Sequence, residues 1–503
     1  MTRATLMGAA TLVGASALAL AIRLHAARTV GFGDSEALYA SYALHPQPAY
    51  LDHPGLVGVF ARAIGHGGPP TPARAHQVTA VLATVAPWTT VFAARAARAK
   101  WAPALVAGLA VAVAPEVAVG LFAMTPDLLL FPAWTASLGF ACAGLLASPS
   151  SVCAAACLLL AGLVAGIGFA AKVSAGALMV ALALTYGARA ARHHARTVWP
   201  WLGLVLGAVV GFPACAYEAQ TGWQMLRHRL VATQGAAGVS LRNLGGLVGG
   251  QLVYLSPLLA IVAALVGWDL WRSRKFDIVA TLLANAVVVP LAGLVPLCVW
   301  SRVAEPHWVA PALLALPLHY ARPTSAAKTH RWRRLGTPAV LLAGIVSVAV
   351  YAWVLEPRLL SLVPPSMYEA RLDLANELYG WPEAMAAIRE VARGHRQEAP
   401  DPGELVVVGP RWVICAQMEA ILRGELPVAC TGAEEADFAY WNPRKRWERA
   451  PLLIYVTDSR FPIDGQTLFP DRVSVDRREL KQYRGGRLAR TFTVEVLSAR
   501  GGA

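Results

Sequence analysis

Charge is what this sequence has least of. Asp, Glu, Lys and Arg make up 15% of its 503 residues, against roughly 25% in ordinary soluble domains. Apolar residues reach 56%, and the mean hydropathy is +0.49. That balance excludes one large water-soluble core and fits a chain that crosses a membrane many times. Cys-x-x-Cys pairs and Cys/His metal spacings are missing too. The seven cysteines, at 142, 153, 157, 215, 298, 415 and 430, fall mostly inside apolar runs as packing residues. No Gly-rich phosphate loop follows the strand expected at 404–409, where GPRW is too little. The internal repeat of many transporters is also absent. The formal charge of +14 does not mark a nucleic-acid binder, because much of the basic excess lies in short loops between apolar runs, where membrane orientation puts it.

What is present is a series of apolar runs of about twenty residues, the length that spans a bilayer as a helix. They lie near 5–25, 75–94, 101–122, 128–147, 151–170, 173–188, 197–216, 248–269, 277–299, 307–320 and 337–355. The expectation is therefore an α-helical polytopic membrane protein with about 11 transmembrane helices. Arg3 ahead of an Ala-rich run also fits a signal peptide, but an uncleaved helix is expected, since more spans follow and no clear cleavage site stands out. The loops AARAARAK (93–100), ARAARHHAR (188–196), WRSRKFD (271–277) and ARPTSAAKTHRWRR (321–334) are strongly basic and alternate along the chain. The positive-inside rule makes them cytoplasmic. Arg23 and Arg28 run weakly against this, and SPSS (148–151) gives no vote. With the N-terminus inside and an odd span count, the chain after Leu355 lies outside.

From Glu356 the composition changes, dividing the chain into a transmembrane part, 1–355, and an extracytoplasmic part, 356–503. Residues 373–394 read as an amphipathic helix, 404–409, 452–457 and 490–497 as strands, and 414–424 as a helix ending at Gly424. Strand, helix, strand points to a small α/β domain. Cys415 and Cys430 would then face an oxidising compartment, where they are candidates for a disulfide.

The topology has a consequence for the polar residues. Asp34, Glu36, Asp52, His53, Glu116, Asp127, Lys172, Glu218, Arg227, His228, Arg229, Arg302, Glu305 and His307 all fall on the outer side. Such residues at a membrane edge are costly unless a site uses them. Acids there can activate a nucleophile, and cations can stabilise a leaving phosphate. Each also has a plainer reading. Asp34 fits a cap of a helix starting at Ser35, and Pro126-Asp127 fits a helix start with an acid in its first turn. Lys172 fits a side chain snorkelling to headgroups, and His53 and His307 fit interfacial histidines satisfied by backbone. Trp223 and Trp308 fit belt aromatics. The functional reading rests on their joint position.

The first loop carries a recognisable pattern: EALY (36–39), then YLDHPG (50–55). TPD (125–127), GIGFAAKVSA (166–175), YEAQTGW (217–223) and AEPHWVAPA (304–312) follow in order, with GW (380–381) and VTD (456–458) later. The sequence resembles the bacterial glycosyltransferases related to dolichyl-phosphate-mannose protein mannosyltransferases and to the lipid A aminoarabinose transferases, which have the GT-C architecture. The resemblance covers most of the chain and lies in the order and spacing of motifs that are each weak alone. It departs from the family at Ser35, where an Asp is usual before Glu36, and at Gly55, where a second Pro is usual. Glu218 and Thr221 replace the Asn and His of the later loop.

The resemblance implies an inverting transfer of a sugar from a polyprenyl-phosphate donor to a lipid, glycan or protein acceptor at the outer face of the inner membrane. It implies a carboxylate base, Asp34 or Glu36, with Asp127 orienting the acceptor or the base. Lys172, Arg227, Arg229, Arg302 and His307 are the expected phosphate partners, and Tyr39, Asp52, His53, Glu218 and Trp223 the substrate-binding residues. No cofactor is fixed by the sequence; a divalent metal held by Asp52, His53 or Glu218 is carried as an option. Two rival readings remain: a transporter of lipid-linked sugar, and an inactive homologue that binds it, for which Ser35 speaks.

Overall fold

The computed structural model describes residues 2–232, 238–301, 305–323, 330–395, 405–432 and 434–499. Apolar runs become helices because only a helix pairs all of its own backbone groups away from water. The first half of the chain runs α1 (Arg3–Ala26), α2 (Asp34–Ser41), α3 (Leu56–Ile64), α4 (Pro72–Ala96), α5 (Trp101–Val113), α6 (Pro115–Ala118), α7 (Pro126–Leu146), α8 (Val152–Ala171) and α9 (Ala175–Gly187). The next part runs α10 (Arg192–Ala195), α11 (Trp199–Gln220), α12 (Gln224–Leu230), α13 (Leu241–Tyr254), α14 (Pro257–Ser273), α15 (Ile278–Trp300), α16 (Ala310–Leu313), α17 (Ala315–Ala321) and α18 (His330–Leu355).

Among the described residues, seven helices are long and apolar enough to cross a membrane: α1, α4, α7, α8, α11, α15 and the Arg334–Leu355 part of α18. Two bent pairs bring the number to nine, α5 with Pro115–Phe122 at 69° and α13 with α14 at 105°. These nine coincide with expected spans. The other two expected spans are shorter or broken. The run at 173–188 is the 13-residue α9, and 307–320 is divided among a 3-10 turn (Pro306–Val309), α16 and α17. Pro306, Pro311 and Pro317 account for the second case, since each removes an amide donor from the ladder.

Glycine sets the closest helix contact. A methyl group at Gly162 would lie 2.2 Å from the carbonyl carbon of Gly203, and one at Gly166 would lie 2.3 Å from the Gly207 oxygen. Only glycine lets α8 and α11 pack backbone to backbone. The contact fixes the end of α8, where Lys172 stands, against the middle of α11, where Phe169 meets Gly211.

The basic loops converge on one face. Arg322 donates to the Ala97 carbonyl and to Asp277 (2.8 Å), Arg98 to the Leu146 carbonyl, and His194 to the Ala147 carbonyl. The opposite face carries the first loop, the 114–127 turn, the end of α8, α12 and the C-terminal part of the chain.

That C-terminal part contains α19 (Trp381–Gly394), β1 (Leu405–Gly409), α20 (Trp412–Leu422), β2 (Val428–Cys430), β3 (Leu452–Asp458), β4 (Arg472–Arg484) and β5 (Arg487–Ala499). The sheet order is β2-β1-β3-β5-β4. β1 runs parallel to β2 and β3, whereas β5 is antiparallel to β3 and β4. β1 and β3 are buried along their whole length, which is why they read as unbroken apolar runs. β4 escaped the sequence reading because it is an edge strand, largely charged, a means of keeping an edge from pairing with other chains. Cys415 of α20 and Cys430 of β2 form a disulfide with 5.8 Å between their Cα atoms.

The two faces give a direct test of orientation. Alkaline phosphatase fused after Leu355 is expected to be active, and a fusion within 321–334 inactive. The opposite pattern would turn the molecule over in the membrane.

Candidate functional site

Glu36 anchors the first loop. Its side chain is buried and accepts from the Gly33 N–H (3.0 Å), the Met124 N–H (2.6 Å) and His76 Nε2 (3.1 Å). Burial disfavours its charge, but the charge and hydrogen bond of His76, with the two N–H groups, outweigh burial and hold its pKa below the usual 4.5. Glu36 thus joins α2 to α4 and to the 123–126 turn that launches α7. His76 was not singled out in the sequence; a histidine near the start of an apolar span was the signal available.

Asp34 has a different task. The N-cap of α2 is Gly33, and Asp34, the first helical residue, accepts from Arg460 Nη1 (2.7 Å) and Gln417 Nε2 (3.3 Å) of the C-terminal domain. Arg460 also holds Asp458 at 3.0 Å. Ser35 is exposed and lies about 100° further round the helix. More bonds tie the first loop to that domain. Asp437 accepts from the Tyr42 hydroxyl (3.2 Å) and the Leu51 N–H (2.9 Å), and His45 meets Glu419 at 3.0 Å. Burial, opposed by the Leu51 N–H, lifts the pKa of Asp437 to about 7.

The cations gather beside this wall. Lys172 is buried, and its Nζ lies 2.9 and 2.8 Å from the two carboxylate oxygens of Asp127, in the first turn of α7. His307 Nε2 stands 3.8 Å from the same carboxylate. Arg229 pairs with Asp52 at 2.7 Å and lies over the Trp308 ring at 5.7 Å, while His228 is 3.9 Å from Asp52. His53 shares a hydrogen bond with the Tyr39 hydroxyl (3.1 Å). Burial and the charges of Arg229 and Lys172 push the His53 pKa well below its usual value. Burial and Lys172, against Asp127, bring His307 to about 4. Both histidines are neutral at neutral pH, so they offer hydrogen bonds and Lys172 and Arg229 carry the charge.

Glu218 is a brace. It is buried and accepts from the Met225 (2.9 Å) and Leu226 (3.3 Å) N–H groups, an arrangement that holds the start of α12. That helix carries Arg227, His228 and Arg229; Arg227 is exposed, as is Trp223 in the left-handed turn before it (φ 60°). Arg302 lies outside the described residues. Asp52, His53 and Glu218 do not converge as metal ligands, since their oxygens and ring nitrogen face Arg229, Tyr39 and the α12 backbone. Among the described residues no three His, Cys, Asp or Glu side chains group to hold a metal ion.

A cavity of about 1060 Å³ opens at this cluster, with Glu116 and Asp127 at one end. Its walls include Leu130, Leu259, Val262 and Leu314, and Lys100 and Tyr320 lie towards the basic face. The lining is mostly apolar, and at the end where Glu116 and Asp127 stand Asp127 carries Lys172.

Residues 72–217 match the family model described as dolichyl-phosphate-mannose-protein mannosyltransferase. No protein of curated function matches the sequence significantly. The fold is similar to that of ArnT from Cupriavidus metallidurans bound to undecaprenyl phosphate, with a TM-score of 0.61 and 14% identity over 98% of this chain and 99% of that one. The apo form of ArnT gives 0.60 and 15% over 97% and 98%. An oligosaccharyltransferase from Archaeoglobus fulgidus, in complex with zinc and sulfate, gives 0.51 and 10% over 88% of this chain and 67% of that one. The chain has the fold expected of the glycosyltransferases that its motifs resemble.

Glu36→Gln tests the anchor. A glutamine offers one acceptor oxygen where the carboxylate offered two, and a buried donor left unsatisfied costs roughly 1–3 kcal/mol. The lowered pKa means that Glu36 stabilises the fold above its usual 4.5, a contribution lost as pH falls through the lowered value. Thermal unfolding in detergent is expected to show Glu36→Gln less stable than wild type at neutral pH, with the gap closing in acid. Equal stability at neutral pH would remove the anchoring role.

Proposed function

We propose that this chain transfers a sugar from a polyprenyl-phosphate donor to a lipid, glycan or protein acceptor at the extracytoplasmic face of the inner membrane. The observation that carries the reading is a large, mainly apolar cavity that reaches Asp127, the carboxylate that holds Lys172, with Arg229 held by Asp52 in the same cluster. The cavity suits the polyprenyl tail and the cations suit its phosphate. As the anomeric bond breaks, the sugar gains oxocarbenium character and the departing phosphate gains a negative charge, which preorganised cations stabilise. Asp127 fixes Lys172, and Asp52 fixes Arg229. His307 and the Tyr39–His53 pair complete the wall, and Arg227 and Trp223, both exposed, are further contacts open to an incoming substrate. Asp34 and Glu36 have both oxygens engaged and act as positioning groups. Basic loops on the opposite face and a disulfide in the C-terminal domain support the orientation.

Ser35, exposed where the family has an acid, favours one second reading: a homologue that binds lipid-linked sugar without transferring it. Comparison of envelope glycolipids and glycoproteins by mass spectrometry separates the two. Loss of the gene is expected to remove a sugar from one glycan. Lys172→Ala should give the same loss, about 10²-fold or more, with folded protein still in the membrane, and Lys172→Arg should recover part of it. An unchanged glycan profile without the gene would leave only binding. Disappearance of the Lys172→Ala protein from the membrane would assign Lys172 to folding instead.

A further inference from the structure

The carboxylates around the cation cluster are nearly all engaged. Asp34 meets Arg460, Glu36 meets His76, Asp52 meets Arg229, Asp127 meets Lys172, and Glu218 meets the α12 backbone. Glu116 differs. Among the described residues its carboxylate has no hydrogen bond and no ion pair. It is half-buried and sits in α6, where the bend after α5 turns the chain across the end of the cavity. It lines that cavity together with Asp127, near enough to Asp127 and Lys172 for their charges to act on it. A carboxylate in the first turn of a helix is often explained by the helix dipole, but α6 has only four residues and little dipole to offer. An unpartnered acid at the edge of an apolar cavity is costly to keep unless it is used.

We propose that Glu116 is the general base of the transfer and takes the proton from an acceptor hydroxyl. This rests on the glycosyl transfer proposed above. The acceptor oxygen bonds to the anomeric carbon as the bond from that carbon to the phosphate oxygen breaks. The electron pair leaves with the polyprenyl phosphate, whose second charge Lys172 and Arg229 take up, and the acceptor proton passes to the Glu116 carboxylate. The same group selects the acceptor. A base is needed only where the acceptor oxygen has a proton to lose, so the acceptor is a neutral hydroxyl.

Membranes from cells that make the glycan provide the test, with sugar transfer and the linkage of the product as readouts. Glu116→Gln should lower transfer by about 10²–10⁴-fold with wild-type amounts of folded protein, and Glu116→Asp should keep part of the activity. In Glu116→Ala, added formate should restore transfer, because a small carboxylate can fill the vacated place; a side chain needed only for folding would show no such rescue. If Glu116→Gln does not fold, Glu116→Ala with formate decides. Wild-type transfer by Glu116→Gln, or a folded Glu116→Ala protein indifferent to formate, would overturn the assignment. A sugar attached to a phosphate in the product would overturn the hydroxyl choice while leaving the transferase standing. A wild-type chain that transfers no sugar would fail the underlying reading before any substitution is compared, and the base assignment would fall with it.

Discussion

A buried carboxylate has to be met by donors wherever it lies, and the donors that meet Glu36 place the site. Gly33 holds it from its own loop, His76 from α4, and Met124 from the turn that precedes α7. The same turn is held a second time, by the Thr79 hydroxyl donating to the Phe122 carbonyl (2.5 Å). Asp127 therefore begins α7 at a defined height. Lys172 meets it from the other side, at the end of a helix whose glycines lock it against α11. The central ion pair is thus the meeting point of two rigid constructions, one polar and one made by close backbone packing.

Around that pair the acids divide by partner. Asp52 and Asp127 hold cations in place, Asp34 holds the C-terminal domain, and Glu218 holds the helix that delivers Arg229. Among the described residues the arrangement leaves Lys172 and Arg229 fixed by carboxylates and the Glu116 carboxylate without a hydrogen-bond partner. The neutral state of His53 and His307 follows from the same crowding, since burial and neighbouring cations both oppose a further positive charge. The C-terminal domain is part of this construction through α20, which lies on the first loop and donates Gln417 to both Phe32 and Asp34.

Much of this was legible in the sequence where the signal is local. Apolar length marked the spans, loop charge marked the faces, and the motif order marked Asp127, Lys172 and the Asp52–His53 step. Long-range partners were not legible. Asp34 and Arg460 are 426 residues apart, and nothing in either stretch names the other, so Asp34 read as a free acid or a cap. Glu36 read as a base because its donors are mainly backbone N–H groups, which leave no mark on a sequence. Glu218 read as a ligand for the same reason. The shortness of α9 and the breaks within 306–317 were softened by apolar composition, which counts residues and not hydrogen bonds.

The account requires that the cation cluster hold the phosphate of a lipid carrier. Mass spectrometry of the intact purified chain mixed with undecaprenyl phosphate measures this directly. Bound lipid phosphate is expected on the wild-type chain. Binding should be weaker by about tenfold or more, some 1.4 kcal/mol, when Lys172 and Arg229 are both changed to Ala. A change of the exposed Arg358 to Ala should leave it unaltered. Equal binding by all three proteins would contradict the account.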